Sequence, residues 1–298
     1  MDEMGHLPSG VFHWEFRRFD MYRVNPPLVR LVGGFPAWLT RVPYDWSKFS
    51  DDTGRRPEFT IGVDRFDIVK LDLQRDFIVP RLFCLSFSLV GALILTLWVW
   101  QVFGSLSGNV ACAFWCFSPD VLAHGQTIVP DVGSVAIGIV ACYFFWNYIL
   151  IPSTQRAVIA GLGLGVALLT KLTWITGLVT LPLTALICAW IWRRELPKRS
   201  THNRALDCGL MVITALGVLN AGYLFEGTGT SLRDYKFCSA TLGGLSANAR
   251  THGNRFRTNW SGHLPVPLPK NYVSGIDYLK HEVEEKKMVV HARRMAVR

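Results

Sequence analysis

The chain has 298 residues, half of them hydrophobic and 18% charged, with a formal net charge of +9. A soluble domain of this length carries about a quarter charged residues, so the composition points away from a water-soluble protein. Between Leu82 and Trp192 the only Asp, Glu, Lys or Arg residues are Asp120, Asp131, Arg156 and Lys171, too few for a water-facing surface and consistent with a polytopic membrane protein.

The basic residues lie outside that apolar region, where they flank lipid headgroups. This removes nucleic acid as a partner and makes membrane lipid the first one. Six of the seven cysteines sit in apolar segments and Cys238 stands apart, so no disulfide framework is expected. Cys112 and Cys116 are spaced as a metal pair could be, without an evident third ligand, and His6 and His13, seven apart, could share a helical face near Glu3 as a second candidate pair. No cofactor is expected, and a divalent metal has no support beyond these pairs. The chain opens on Asp2-Glu3, without the basic start and apolar run of a secretory signal.

Residues 1–81 are mixed in character. Gly5 to Arg18 reads as a short amphipathic helix, with Leu7, Val11, Trp14 and Arg18 near one face. Pro26 biases Asn25 to extended geometry, and Pro26-Pro27 can open a second helix because its first turn needs no amide donors. Leu28 to Leu39 continues that helix. Both suit a membrane interface, with Trp14, Tyr22 and Trp38 as headgroup anchors. Residues 40–76, punctuated by Pro43, Gly54, Pro57 and Gly62, read as a surface loop.

Leu82 to Phe103 is long enough to cross a ~30 Å core. Gly104 to Gly108 reads as a turn, and Asn109 to Phe117 rises again until Ser118-Pro119. Val132 to Ile151 is a second clear span. Ala157 to Leu172 and Thr176 to Trp192 read as a helical pair, and Ala205 to Phe225 as the last span. The fold class is therefore all-α: a polytopic transmembrane bundle of about six spans over 82–225. An N-terminal loop with interfacial helices precedes it (1–81), and a polar region follows (226–298). The basic connector at 193–204 should be cytoplasmic. Counting back, 1–81, 118–131, Lys171 and 226–298 share the other face.

That face holds every residue suited to chemistry. Asp120, His124 and Asp131 lie where two helices meet. They read either as a wet loop with Asp131 capping the next helix or as functional ionisable groups at the membrane. Asp2 and Glu3 read as a solvated terminus or as paired acids. Lys171 reads as a snorkelling cation or as a partner for a lipid phosphate.

These segments, in this order, resemble the GT-C superfamily of membrane glycosyltransferases, in its dolichyl-phosphate-mannose-protein mannosyltransferase and aminoarabinose-transferase branch. The matching elements are the acidic pair Asp2-Glu3 and Asn25-Pro26-Pro27-Leu28. They continue with Ser118-Pro119 through His124-Gly125 to Asp131, and with the glycine-rich Gly161 to Gly165 leading to Thr170-Lys171. Phe225-Glu226-Gly227 and Leu264 to Pro269 resemble the large loop of bacterial members. The family carries a helix before the acidic pair and several after the large loop. The resemblance therefore implies a chain truncated at both ends.

The resemblance implies a multi-pass protein of the bacterial inner (plasma) membrane. Its activity would be transfer of a sugar from a polyprenyl-phosphate donor to an acceptor hydroxyl on the extracytoplasmic face, the acceptor being a lipid, a glycan or a protein. Asp2 is then the base, oriented by Glu3, and Asp131 helps shape the acceptor site. Lys171 takes the leaving phosphate, with Arg17, Arg18 and Arg23 behind it. His6, Asn25, Pro26, Pro27, Asp120 and His124 shape the substrate site. Two other readings stand: a non-catalytic membrane protein that is a relic of the family, and a transporter of a lipid-linked substrate.

Overall fold

The computed structural model describes residues 2–50, 56–68, 74–191, 204–244, 247 and 251–296. It is helical throughout, and among the described residues there is no strand, only isolated bridges at Ser231–Pro265 and Phe237–Gly253.

Among the described residues four helices are long and apolar enough to cross a membrane, which fits a membrane protein. They are α4 (Val79–Phe103, entered through one π turn at Gln74–Ile78), α7 (Pro130–Leu150), α9 (Gly177–Ile191, entered through a 3₁₀ turn at Leu172–Thr176) and α10 (Arg204–Gly222). Two further expected segments form helices shorter than these four. α5 (Ser105–Cys116) has 12 residues and α8 (Thr154–Leu168) has 15, about 18 and 22 Å at 1.5 Å per residue. The turn expected at 104–108 is compressed into Gly104 alone, whose φ of +90° suits a residue without a side chain.

α8 runs between α7 and α10, and its glycines permit this. A Cβ on Gly161 or Gly165 would collide with Met211 and Thr214, or with Ala215 and Val218, of α10. On Gly163 it would press on Ala141 of α7. Small residues let backbones approach where lipid supplies no hydrophobic drive. Leu164, Leu168, Ala215 and Leu219 form the apolar centre beside them.

The N-terminal segment is more buried than its sequence suggests. α1 (Glu3–Phe16) buries Gly5 to His13 without a break, rather than showing one polar face. It crosses α2 (Leu28–Leu39) where Gly10 and Gly34 bring the two backbones into contact. α2 in turn lies on α4, with Gly33 against Cys84 and Ile128. On the other side of α1 is α3 (Pro57–Ile68), in the stretch expected to be a loop. Pro57 and Glu58 are a good helix start. Gly62 packs against the Met4 backbone, and Ile61, Glu58 and Arg65 are buried.

A short helix α6 (Pro119–His124) links α5 to α7. The described residues between 223 and 269 fold over the bundle end as a polar cap, which includes the short α11 (Ala240–Gly243). The cap is held by α12 (Lys270–Ala296), a helix the sequence reading did not anticipate. Asp277 of α12 accepts the backbone N–H groups of Cys238 (2.7 Å) and Ser239 (3.1 Å), and Glu284 accepts that of Ala240 (2.7 Å).

The helix ends sort into two sets. The starts of α4, α7 and α9 and the ends of α5, α8 and α10 lie together under α1, α2 and the cap. Cross-links between distant segments fix this: Leu28 N–H to Leu169 O at 2.9 Å, Phe19 N–H to Glu226 at 3.0 Å, and Lys171 to Asp131 at 2.8 Å. Arg156 marks the opposite end, bonding the carbonyls of Asn147 and Ile151. The basic connector at 193–199 lies outside the described residues.

Candidate functional site

The two members of the acidic pair have different environments. Asp2 is exposed, and its carboxylate makes no hydrogen bond or ion pair with the described residues. Glu3 is engaged on every side. Oε1 accepts Arg81 Nε at 3.0 Å and the backbone N–H of Ile128 at 3.0 Å, while Oε2 meets the second nitrogen of the same guanidinium. Glu3 therefore ties α1 to the start of α4 and to the α6–α7 loop.

Asp131 opens α7, and Lys171 follows the end of α8. Their side chains, 55% and 39% exposed, form an ion pair across the bundle end. Beside them the Asn25-Pro26-Pro27-Leu28 element is anchored twice. Leu28 N–H bonds Leu169 O, two residues before Lys171, and the Asn25 carbonyl accepts from Arg30. Pro26 and Pro27 are buried under this link.

Asp120, His124 and Asp131 edge a groove of about 750 Å³. Its walls are Leu95 of α4, Phe114 and Trp115 of α5, Val121 of α6, and Val132 and Val135 of α7. Trp115 is fixed there by its indole N–H to Ser88 O at 3.0 Å. The groove has an apolar interior within the hydrophobic helices and polar groups at one rim. That arrangement matches a chain-like apolar ligand with a polar head.

The remaining expected residues disperse. Arg17 is exposed at the left-handed residue that ends α1. Arg18 pairs with Asp20 and lies over the rings of Phe12 and Phe49. Arg23 reaches α12, donating to Asn271 at 2.9 Å and stacking on Tyr278. None of the three is brought to the Asp131–Lys171 pair by a contact seen here. His6 is buried against Tyr22, with ring centroids 4.5 Å apart. Burial, then the charges of Arg30 and Arg56, hold its imidazole well below the usual histidine range. His13 is buried too. Its Nδ1 lies 2.7 Å from Arg18 O, and burial followed by Arg30 lowers its pKa in the same way. Among the described residues no three His, Cys, Asp or Glu side chains gather as a metal-binding set.

A polar knot around Tyr22 was not foreseen. Arg30 and Arg56 both lie 5.1 Å from the Tyr22 ring. Arg30 is buried and donates to Met21 O and Tyr22 O as well as Asn25 O. Burial lowers its pKa to about 10. Arg56 pairs with Glu58 of α3 at 3.1 Å and with Glu282 of α12 at 3.4 Å. Burial raises the Glu58 carboxyl above the usual carboxylate range. Arg30 had a visible signal, a lone charge inside Leu28 to Leu39. Glu58 and Arg81 had none, because only the docking of α3 and α4 onto α1 gives them partners.

No family model matches the chain, and comparison with curated proteins and with solved structures gives no match either.

Proposed function

We propose that the chain is the membrane-embedded unit of a glycosyltransferase, of the GT-C type that its sequence resembles. It would be a multi-pass protein of about six spans, the shorter α5 and α8 included, in a bacterial inner (plasma) membrane. Its donor would be a polyprenyl-phosphate sugar and its acceptor a hydroxyl on the extracytoplasmic side. The observation that carries this reading is convergence. Glu3, Asp131, Lys171 and the Asn25–Leu28 element, distant in sequence, are cross-linked at one end of the bundle beside an apolar groove.

In this reading the Asp2 carboxylate takes the proton of the acceptor hydroxyl. The freed oxygen bonds the anomeric carbon as the bond from that carbon to the phosphate oxygen breaks. The phosphate leaves with the electron pair, and a single displacement inverts the configuration. Lys171 neutralises the leaving phosphate, for which the phosphate must compete with Asp131. Glu3 holds the segment that carries Asp2 rather than acting on substrate. The prenyl chain lies in the α4–α7 groove.

The engagement of Glu3 by Arg81 and Ile128, and of Lys171 by Asp131, also favours a second reading, a non-catalytic membrane protein that holds a lipid in the same groove. One experiment separates them. The full chain and its Asp2→Asn variant are placed in nanodiscs with a polyprenyl-phosphate-linked mannose, and release of polyprenyl phosphate is followed. Turnover that Asp2→Asn abolishes while donor binding persists supports the transferase. Donor binding without turnover, or turnover indifferent to Asp2→Asn, overturns it.

A further inference from the structure

The cap contains a second polar cavity, separate from the groove and from the acidic pair. Its volume is about 590 Å³. It lies between two basic stretches, Arg233-Asp234-Tyr235-Lys236 and His252 to Arg257. Neither would form a pocket alone. The fold clamps them together through a two-way backbone bridge between Phe237 and Gly253, at 3.0 and 2.9 Å. The Asn254 amide adds bonds to Leu232 O at 2.9 Å and Tyr235 O at 2.8 Å. Tyr235 stacks parallel on Phe237 beneath, with centroids 5.5 Å apart.

This frame sets Arg233, Lys236 and Arg257 around one cavity with His252 beside them. Asp234 is the sole carboxylate among the lining residues, and it lies 3.8 Å from Arg233, on an exposed pair. Against three permanent cations it leaves a net excess of positive charge. Tyr235 lines the cavity, and its hydroxyl is buried with no hydrogen-bond partner among the described residues. Guanidinium groups recognise phosphate through paired N–H donors, and lysine adds a point charge. A carboxylate ligand would use one face of such a cluster, whereas a phosphate presents acceptors in several directions at once.

We propose that this cap cavity binds a phosphate group, carried by a soluble phosphorylated molecule or by a lipid headgroup. The proposal does not depend on the chain being a transferase. The test uses the full chain in detergent and its Lys236→Gln/Arg257→Gln variant. Both side chains are exposed and make no ion pair with the described residues, so folding is preserved, as the thermal midpoint without ligand will report. The probes are pyrophosphate and a water-soluble short-chain phosphatidic acid, titrated by calorimetry at low and high salt. The expected result is binding that weakens with salt and falls at least tenfold in the variant. Binding of pyrophosphate assigns a soluble source, and binding of phosphatidic acid alone assigns a headgroup. Asp234→Asn should tighten binding severalfold. The proposal is overturned if neither probe binds, or if both bind the double variant as well as the parent.

Discussion

Replacing Glu3 by glutamine tests whether the acidic pair divides into a clamp and a free acid. The Glu3 side chain is 12% exposed and holds Arg81 through both oxygens. A glutamine keeps the volume and one acceptor, so Ile128 N–H keeps its partner. Its amide nitrogen then faces the guanidinium, donor against donor. A hydrogen bond to a charged group contributes about 1.5–3 kcal/mol. Arg81 is 38% exposed, so water recovers part of the loss. The expected cost is about 1–2 kcal/mol, or about 2–3 °C in Tm for a chain of this length. Asp2→Asn, at an exposed and unbonded side chain, should stay within about 0.5 kcal/mol of the parent. Arg81→Met and the double variant complete a cycle, in which removing both partners should recover about 1 kcal/mol of the summed losses. Thermal unfolding of the purified full chain in one detergent measures all four. Equal destabilisation by Asp2→Asn and Glu3→Gln, or a cycle with no coupling, would refute the division of roles.

Acid should destabilise the N-terminal segment. His6 and His13 have folded pKa values lowered from the ordinary 6.5, so their contribution is complete above that value. It is lost as pH falls from about 7 towards 5, by up to about 1.4 kcal/mol per pH unit for each group. Glu58, with its raised carboxyl pKa, opposes this as it takes up its proton. A double His6→Gln/His13→Gln variant should flatten the dependence of the thermal midpoint on pH, and an unchanged slope would refute the assignment. Gly34→Ala would place a Cβ 2.6 Å from the Gly10 carbonyl carbon and 2.8 Å from Val11 N. Because both neighbours are backbone, a loss of about 1–3 kcal/mol is expected, and a neutral result in denaturant unfolding would contradict the crossing. Lys171→Met removes one side of an exposed ion pair, so stability should change by no more than about 1 kcal/mol. If Lys171 serves phosphate, donor binding should fall at least tenfold while the thermal midpoint stays put.

The helical bundle was legible because its signal is local and repeated. In α4, α7, α9 and α10 the apolar runs are long enough that few alternatives exist, and their boundaries fall within a few residues of those expected. α5 and α8 also lie close to the segments expected at 109–117 and 157–172, but with 12 and 15 residues they are shorter than the other four, because Gly104 ends α4 and Ser153 caps the start of α8. α3 and α12 were missed. Their charges, such as Glu58, Arg65, Asp277 and Glu284, read as solvent-facing until ion-pair partners, or backbone N–H groups from distant segments, engage them.

The candidate site divides in the same way. The lone charges Asp131 and Lys171 are visible in sequence, since an apolar chain carries few ionisable residues without a reason. Their union is not visible, because 40 residues and two helices separate them. Arg17, Arg18 and Arg23 looked equivalent as nearby cations. The structure sends Arg18 to Asp20 and Arg23 to Asn271, because α1 ends at Phe16 and the chain reverses before α2.

By itself the sequence determined that this is a helical protein with membrane-length segments and that its ionisable residues concentrate near the helix ends. Those properties follow from hydropathy and from the length of a helix needed to cross lipid. Only the tertiary structure decided which of those residues are spent on holding the fold. A carboxylate's role depends on what approaches it, and Arg81 and Ile128 reach Glu3 from 78 and 125 residues away. Asp2, one residue earlier, meets neither.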